Sequence, residues 1–182
     1  MSKAQILTSI SKNKPAPADL PAPQKISYKE DEDLLQAFVD KAKGAGSEVE
    51  NFDSAEKVGE WIKQQETSGK SVINLLQNSD NNDPDKVDMV VIRGQFGVAE
   101  NGAVWIDEHD MQIRKLPFVT SHLVLALIKS KIFPDMHEGY KQVDLDRSGF
   151  GVFIAGPSKT ADIEQSLVIG AHGPIEHTIL LY

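Results

Sequence analysis

The sequence predicts an α/β fold, in which a single-domain sheet is flanked by helices. The length of 182 residues suffices for one hydrophobic core and is short for two ordinary domains. Two amphipathic helical patterns lie between residues 30 and 66. Several later runs are apolar at nearly every position, which is typical of strands buried on both sides by helices. We therefore expect a largely parallel or mixed sheet.

The N-terminal segment is predicted to be a leader. Ile6, Leu7 and Ile10 have helical spacing and predict a short amphipathic helix over residues 2–12. The segment NKPAPADLPAPQ follows, and its prolines favour an extended, polyproline-like tether. A proline-rich recognition site for another domain is the alternative. We assign residues 1–25 to this leader and residues 26–182 to the α/β domain.

Two helices are expected at the start of the domain. The first begins near Glu30, with the acidic run EDED at its positive end, and GAG at 44–46 ends it. The second begins at Asp53, which caps it while Glu56 reaches back, and TSG at 67–69 ends it. The expected core-facing residues are Leu34, Leu35, Phe38, Val39 and Ala42 in the first helix, and Ala55, Val58, Trp61 or Ile62, and Gln65 in the second.

Short strands follow these helices. The runs are rich in branched and aromatic residues and are bounded by Asn, Asp, Gly and Pro. A helix from about Pro134 interrupts the series. The predicted strands are SVINLL (71–76), MVVIR (89–93), AVWID (103–107), HLVLALI (122–128), GVFIA (151–155) and TILLY (178–182).

Composition excludes several classes of function. The formal net charge of -8 argues against binding nucleic acid or anionic lipid through a general electrostatic field. The chain has no cysteine, so it forms no disulfide, uses no cysteine nucleophile and holds no cysteine-ligated zinc or iron-sulfur centre. No run approaches the roughly 18 to 20 apolar residues of a membrane span, and the N-terminal apolar run is too short for a secretory signal. We expect a cytoplasmic protein.

The segment GPSKTADIEQSLVIGAHGP (156–174) is the first candidate site. Gly156 turns the chain after a strand, and a helix is expected from Thr160 or Asp162 to about Ile169. The free N–H groups at its start, with Ser158, Lys159 and Thr160, form a candidate site for an anion. The alternative is that Thr160 or Asp162 only caps the helix. A P-loop is excluded, because Pro157 and Ser158 separate the glycine from the lysine.

The loop RGQFGVAENGAVW (93–105) is the second candidate. Gly94, Gly97 and Gly102 allow a backbone to approach a ligand closely, and Glu100 supplies a carboxylate that suits a nucleophile or base. The alternative is a hairpin with Asn101 and Gly102 at its turn and a solvated Glu100.

Histidine offers a further group. His172 lies beside the first candidate site, where it can serve as acid, base or anion ligand, or be structural. His172 with His177, or EHD at 108–110, lacks a recognised metal-site spacing, so we predict no dedicated metal site.

These segments resemble the lactate-utilisation protein C family of small LUD-domain proteins. GPSKTADIEQSLVIGAHGP is similar to the family pattern GPS-[KR]-TADIE…G-x-HGP, and GQFGVAENGAVWI is similar to its glycine-rich loop. The similarity spans roughly residues 70–182. It implies a fold like that of the NagB/RpiA/CoA-transferase group. It also implies an accessory or ligand-binding role in oxidising L-lactate to pyruvate, beside partner subunits that carry iron-sulfur clusters.

The resemblance leaves the chemistry of the chain itself open. In CoA transferases of the related fold, a glutamate in an ENG context forms the acyl intermediate, and ENG occurs here at 100–102. Many relatives have Thr where this chain has Asn101. A freestanding enzyme acting on a small anionic substrate, with CoA-transferase-like chemistry at Glu100, is therefore the alternative function.

Overall fold

A computed structural model describes residues 2–15, 33–77, 87–144, 146–161 and 167–182. Residues 16–25 of the predicted leader, which include most of its proline-rich segment, and Asp162 lie outside these ranges. The described helices are α1 (Lys3–Lys12), α2 (Leu34–Gly44), α3 (Ala55–Thr67), α4 (Glu108–Met111), α5 (Leu116–Val119) and α6 (Met136–Tyr140), with a 3-10 turn at Lys129–Lys131. The described strands are β1 (Glu48–Asn51), β2 (Val72–Asn74), β3 (Met89–Arg93), β4 (Phe96–Val98), β5 (Ala103–Asp107), β6 (His122–Leu127), β7 (Ile132–Phe133), β8 (Gly151–Ile154), β9 (Lys159–Ala161), β10 (Leu167–Ile169) and β11 (Glu176–Leu181).

A five-stranded parallel sheet forms the centre of the fold. Its order is β1-β11-β6-β3-β2, and every neighbouring pair is parallel. All six residues of β6 are buried, as are the first four of β3. The continuous apolar runs thus correctly predicted strands covered on both faces.

Successive side chains of these strands enter two different cores. Val90 and Ile92 of β3 pack into the core that contains Phe38 of α2, whereas Met89 and Val91 pack against Val58 and Ile62 of α3. The alternation follows from the two-residue period of a strand. Helix α3 therefore covers one face of the central sheet, and α2 lies on the other.

A second, four-stranded sheet in the order β7-β4-β5-β8 completes the core on the α2 side. Val104 and Ile106 of β5 enter the same buried cluster as Phe38. Aromatic residues of this sheet form a separate cluster. The ring centroids of Trp105 and Phe153 lie 4.7 Å apart, and those of Phe96 and Phe153 lie 5.9 Å apart. The α/β class predicted from the sequence is confirmed.

Two local predictions are wrong. The N-cap position of α3 is Ser54, whose side chain makes no capping hydrogen bond, rather than Asp53, whose carboxylate pairs with Lys57 at 2.5 Å. The predicted helix from Thr160 or Asp162 to Ile169 does not form either: β9 and β10 pair antiparallel, with Thr160 opposite Val168. Its described residues include β-branched Thr160, Val168 and Ile169, which suit a strand better than a helix.

None of the described helices is long and apolar enough to cross a membrane.

Candidate functional site

The turn after β8 packs onto the C-terminal end of α2. Gly156 has φ +77°, and a Cβ placed there would lie 2.1 Å from the Ala45 carbonyl oxygen. Lys159 Nζ donates a hydrogen bond to that same oxygen. A positive charge at this position interacts favourably with the negative end of the dipole of α2. Gly156 and Lys159 thus join the turn to the end of α2, and the ammonium already has a protein partner.

Ser158 joins the two ends of the first candidate segment. Its N–H donates to the Pro174 carbonyl at 2.9 Å, and its own carbonyl accepts from the Gly170 N–H at 2.9 Å. A Cβ added at Gly173 would lie 3.0 Å from Ser158 Cβ. We call residues 156–160 and 170–174 the GPS/HGP unit. It is one structural unit in which His172 is exposed.

The helix N-terminus expected at the first candidate site does not form, because the described residues of β9 and β10 pair as antiparallel strands. The Ser158 N–H is also already bonded to Pro174. Thr160 lies half-buried in β9. Among the described side chains of this unit, the Ser158 and Thr160 hydroxyls and the exposed imidazole of His172 remain available to a ligand.

The second candidate loop contains a strand and a hairpin turn. β4 and β5 pair antiparallel, with Val98 opposite Ala103, so the ENG residues form the connection between them. Asn101 Oδ1 accepts from the Ala103 N–H at 3.0 Å, and Glu100 Oε2 accepts from the Met136 N–H at 3.0 Å. The observed partner of the Glu100 carboxylate is therefore the first residue of α6.

The glycines of this loop pack closely against neighbouring layers of the fold. Gly102 has φ +69°, and an added Cβ would lie 2.3 Å from the Ala42 nitrogen of α2. A Cβ at Gly97 would lie 2.8 Å from Phe38, and one at Gly94 would lie 2.5 Å from Val104. Close packing between layers accounts for all three glycines.

The two candidate loops lie at the same end of the second sheet. Val104 of β5 pairs with Ile154 of β8, so the turns that contain Gly102 and Gly156 are neighbours. Both turns contact the last part of α2, at Ala42 and Ala45 respectively. Within the described part of the chain, no hydrogen bond joins Glu100 to the GPS/HGP unit. The two turns are therefore linked through their contacts with the same helix, α2.

Sequence reasoning missed a buried histidine pair beside this unit. His177 Nδ1 lies 2.8 Å from Ser47 Oγ, and His122 Nε2 lies 2.8 Å from Thr178 Oγ1. His122 Nδ1 lies 3.2 Å from Glu176 Oε2, without hydrogen-bond geometry. The only sequence signal was that each histidine begins or nearly begins an apolar strand run.

Burial controls the protonation of both histidines. Burial, and then the nearby charge of His122, lowers the pKa of His177 to about 4. Burial also lowers the pKa of His122, while the Glu176 carboxylate opposes this effect. Both rings are therefore neutral at pH 7. Among the described residues, no cluster of three or more His, Asp or Glu side chains is placed to hold a metal ion.

A cleft at the opposite edge of the central sheet was also missed. It lies at the carboxyl ends of β2, β3 and β11, where they face α3, and has a volume of about 180 Å³. Its polar lining includes Asn74, Gln77 and Arg93, and Tyr182 also lines it. Carboxyl ends of parallel strands are the usual position of ligands in open α/β sheets.

Comparison with known proteins agrees with this architecture. The chain resembles the crystal structure of a DUF162 family protein from Deinococcus radiodurans with a TM-score of 0.62. The superposition covers 81% of this chain and 95% of that one, at 16% sequence identity. At this level of identity the likeness shows the fold.

Sequence relatives come from several bacteria. The chain is 32% identical over 97 residues to lactate utilization protein C of Bacillus pumilus, which covers 50% of this chain and 40% of the relative. It is 25% identical over 163 residues to the protein of that name from Exiguobacterium, covering 82% of this chain and 66% of the relative. The chain therefore spans from about two fifths to two thirds of the length of these relatives. The LUD domain family matches residues 83–182, more than half of the sequence, and the chain belongs to that family.

Proposed function

We propose that this chain is an accessory, ligand-binding subunit of a cytoplasmic system that oxidises L-lactate to pyruvate. The proposal is supported by membership of the LUD domain family and by similarity to proteins named lactate utilization protein C. The matched region includes the whole GPS/HGP unit, which carries the family-like sequence.

The partners in this proposal are iron-sulfur proteins. Oxidation of lactate to pyruvate removes two electrons and two protons, so the system needs an electron acceptor. Biological iron-sulfur clusters are held mainly by cysteine thiolates, and this chain has no cysteine. An accessory chain of this kind therefore leaves the electron-transfer centre to its partners.

The ligand in this proposal is a small anionic metabolite held at the GPS/HGP unit. The observation that carries this assignment is the pair of Ser158 backbone hydrogen bonds to Pro174 and Gly170. They fix the loop that contains the exposed His172 beside Ser158. Ser158, Thr160 and His172 supply the contacts, and Glu100 lies on the neighbouring turn.

Growth and co-purification test the role in lactate utilisation. We expect deletion of the gene to abolish growth on L-lactate, and the tagged full-length chain to co-purify with iron-sulfur proteins from cells grown on lactate. Complementation with His172→Ala should restore less growth than complementation with His137→Ala, a matched change at an exposed histidine on α6. Unchanged growth after deletion, together with recovery of the chain without any iron-sulfur protein, contradicts the proposal.

A thermal-shift series tests the ligand. Lactate, pyruvate, CoA esters, sugar phosphates, folates and nucleotides are the probes. A ligand that binds only the folded protein must raise the melting temperature. We expect one of these anions to do so, and the shift to be reduced in Ser158→Ala. An equal shift in both proteins rules out a ligand contact at Ser158.

A further inference from the structure

We propose that the cleft at the carboxyl edge of the central sheet is a second ligand site, which binds a small carboxylate with Arg93 as its charged anchor. β2, β3 and β11 all end at this edge, and α3 forms the facing wall. The site is separate from the GPS/HGP unit, because that unit lies at the amino end of β11 whereas the cleft lies at its carboxyl end. The six residues of β11 separate the two ends by roughly 20 Å.

The cleft combines an apolar wall with a polar rim. Val58 and Ile62 of α3 line it and are 2% and 1% exposed. Asn74, Gln77 and Arg93 stand at the strand ends. Asn74 Oδ1 accepts from the Leu76 N–H at 3.1 Å, which fixes the orientation of its amide. An apolar wall with a few convergent polar groups is the usual composition of a small-molecule site.

Arg93 carries the only positive charge among the residues that line the cleft. Among the residues that the structure describes, no carboxylate forms an ion pair with it. The nearby acids of α3, Glu56 and Glu60, line the adjoining groove with Lys63. Glu56 also accepts a hydrogen bond from the Ser54 side chain, which lowers its pKa and holds it at the start of α3. Within the described ranges, the cleft therefore offers an anion a guanidinium that has no carboxylate partner.

The geometry of this group favours a carboxylate. A guanidinium presents two parallel N–H donors that match the two oxygens of a carboxylate. The cleft has a volume of about 180 Å³, which is small for a ligand pocket and suits an acid of three or four carbons.

Calorimetric titration of the full-length chain with sodium pyruvate, sodium acetate and inorganic phosphate tests the site. We expect saturable binding of pyruvate, and a loss of at least about tenfold in affinity in Arg93→Gln, since each hydrogen bond to a charged group contributes about 1.5 kcal/mol or more. Lys63→Gln is the matched control, because it removes a positive charge from the adjoining groove. It should leave the affinity within about twofold. Gln77→Ala should weaken binding by a smaller factor than Arg93→Gln.

The proposal would be overturned by no saturable binding of either carboxylate, by equal affinity in the wild type and Arg93→Gln, or by the same loss in Lys63→Gln as in Arg93→Gln. Tighter binding of phosphate than of pyruvate would also overturn it, by assigning the cleft to phosphate esters. Because Arg93 is exposed, its variant should melt at the wild-type temperature. The test is independent of growth on lactate and of Ser158, so failure here is distinguishable from failure of the proposed function.

Discussion

Ser47 Oγ and His177 Nδ1 lie 2.8 Å apart in the protein interior, where they connect the segment after α2 to strand β11 of the central sheet. His177 is 2% exposed, and its pKa is lowered to about 4, chiefly by burial. An unfolded histidine titrates near pH 6.5. Between these two values the unfolded chain binds the proton and the folded chain does not.

This relationship predicts that the protein loses stability as the pH falls through the range from 6.5 to 4. The unfolded state binds more protons in that range, so the free energy of unfolding decreases with decreasing pH. We expect a loss of about 2 kcal/mol from this residue between pH 7 and pH 5. Urea unfolding at several pH values measures the slope of the free energy of unfolding against pH. In His177→Gln the slope should be smaller, and an unchanged slope would show that other groups control acid stability.

Gly102→Ala should destabilise the protein. The change forces a residue with φ +69° to carry a Cβ 2.3 Å from the Ala42 nitrogen. Backbone strain and overpacking together should cost about 2 to 3 kcal/mol. Gly44→Ala is the matched control, because nothing lies within 4 Å of a Cβ there, and it should leave stability unchanged or slightly higher. Equal denaturation midpoints for both variants would disprove the close contact.

Lys159→Met should destabilise the fold in the absence of any metabolite. It removes the ammonium that donates to the Ala45 carbonyl at the end of α2 but keeps most of the aliphatic stem. Because the side chain is exposed, we expect a loss of about 0.5 kcal/mol. Lys159→Arg retains the charge and should lose less. Wild-type stability in Lys159→Met, combined with weaker metabolite binding, would indicate that the lysine contacts a ligand instead.

Glu100→Ala should release the first turn of α6. The Glu100 carboxylate accepts from the Met136 N–H at 3.0 Å, and loss of that bond should cost about 1 kcal/mol. Hydrogen exchange at the Met136 amide should accelerate in Glu100→Ala and change less in Glu100→Gln, which retains an acceptor oxygen. An acyl adduct on Glu100 after incubation with acyl-CoA would show instead that this carboxylate is a nucleophile.

The sequence predicted the buried strands well and the polar or glycine-rich ones poorly. β3, β6 and β11 are recognisable because their apolar runs are buried on both faces. β1 consists of Glu48–Asn51, with Val49 as its one apolar residue, and β4 includes Gly97, so neither has the composition typical of a strand. These two strands form because a neighbouring strand pairs with them, which local patterns do not reveal.

The sequence predicted those parts of the candidate site that are formed by residues near one another in the chain, and it did not predict the long-range contacts. GPSK and HGP were correctly placed together, because they lie close in the sequence. The contact of Lys159 with Ala45 joins residues 114 positions apart, and no local pattern predicts it. The acid and amide residues of 162–165 suggested a helix cap, whereas the described residues on either side pair as strands. The sequence does not predict the cleft that Arg93 lines, because this cleft forms only where three strands that are distant in the sequence end together.

The position of β11 between β1 and β6 has a consequence for biosynthesis. In the described sheet, β1 pairs with β11 alone, and Ser47 is 130 residues from His177. At about 5 to 20 residues per second, a ribosome needs roughly 6 to 26 seconds to supply that partner. During the last part of this interval, after β6 has been synthesised, the edge of β6 that β11 later occupies is open to other nascent chains. We therefore expect productive folding after synthesis of β11, and dependence on chaperones before it.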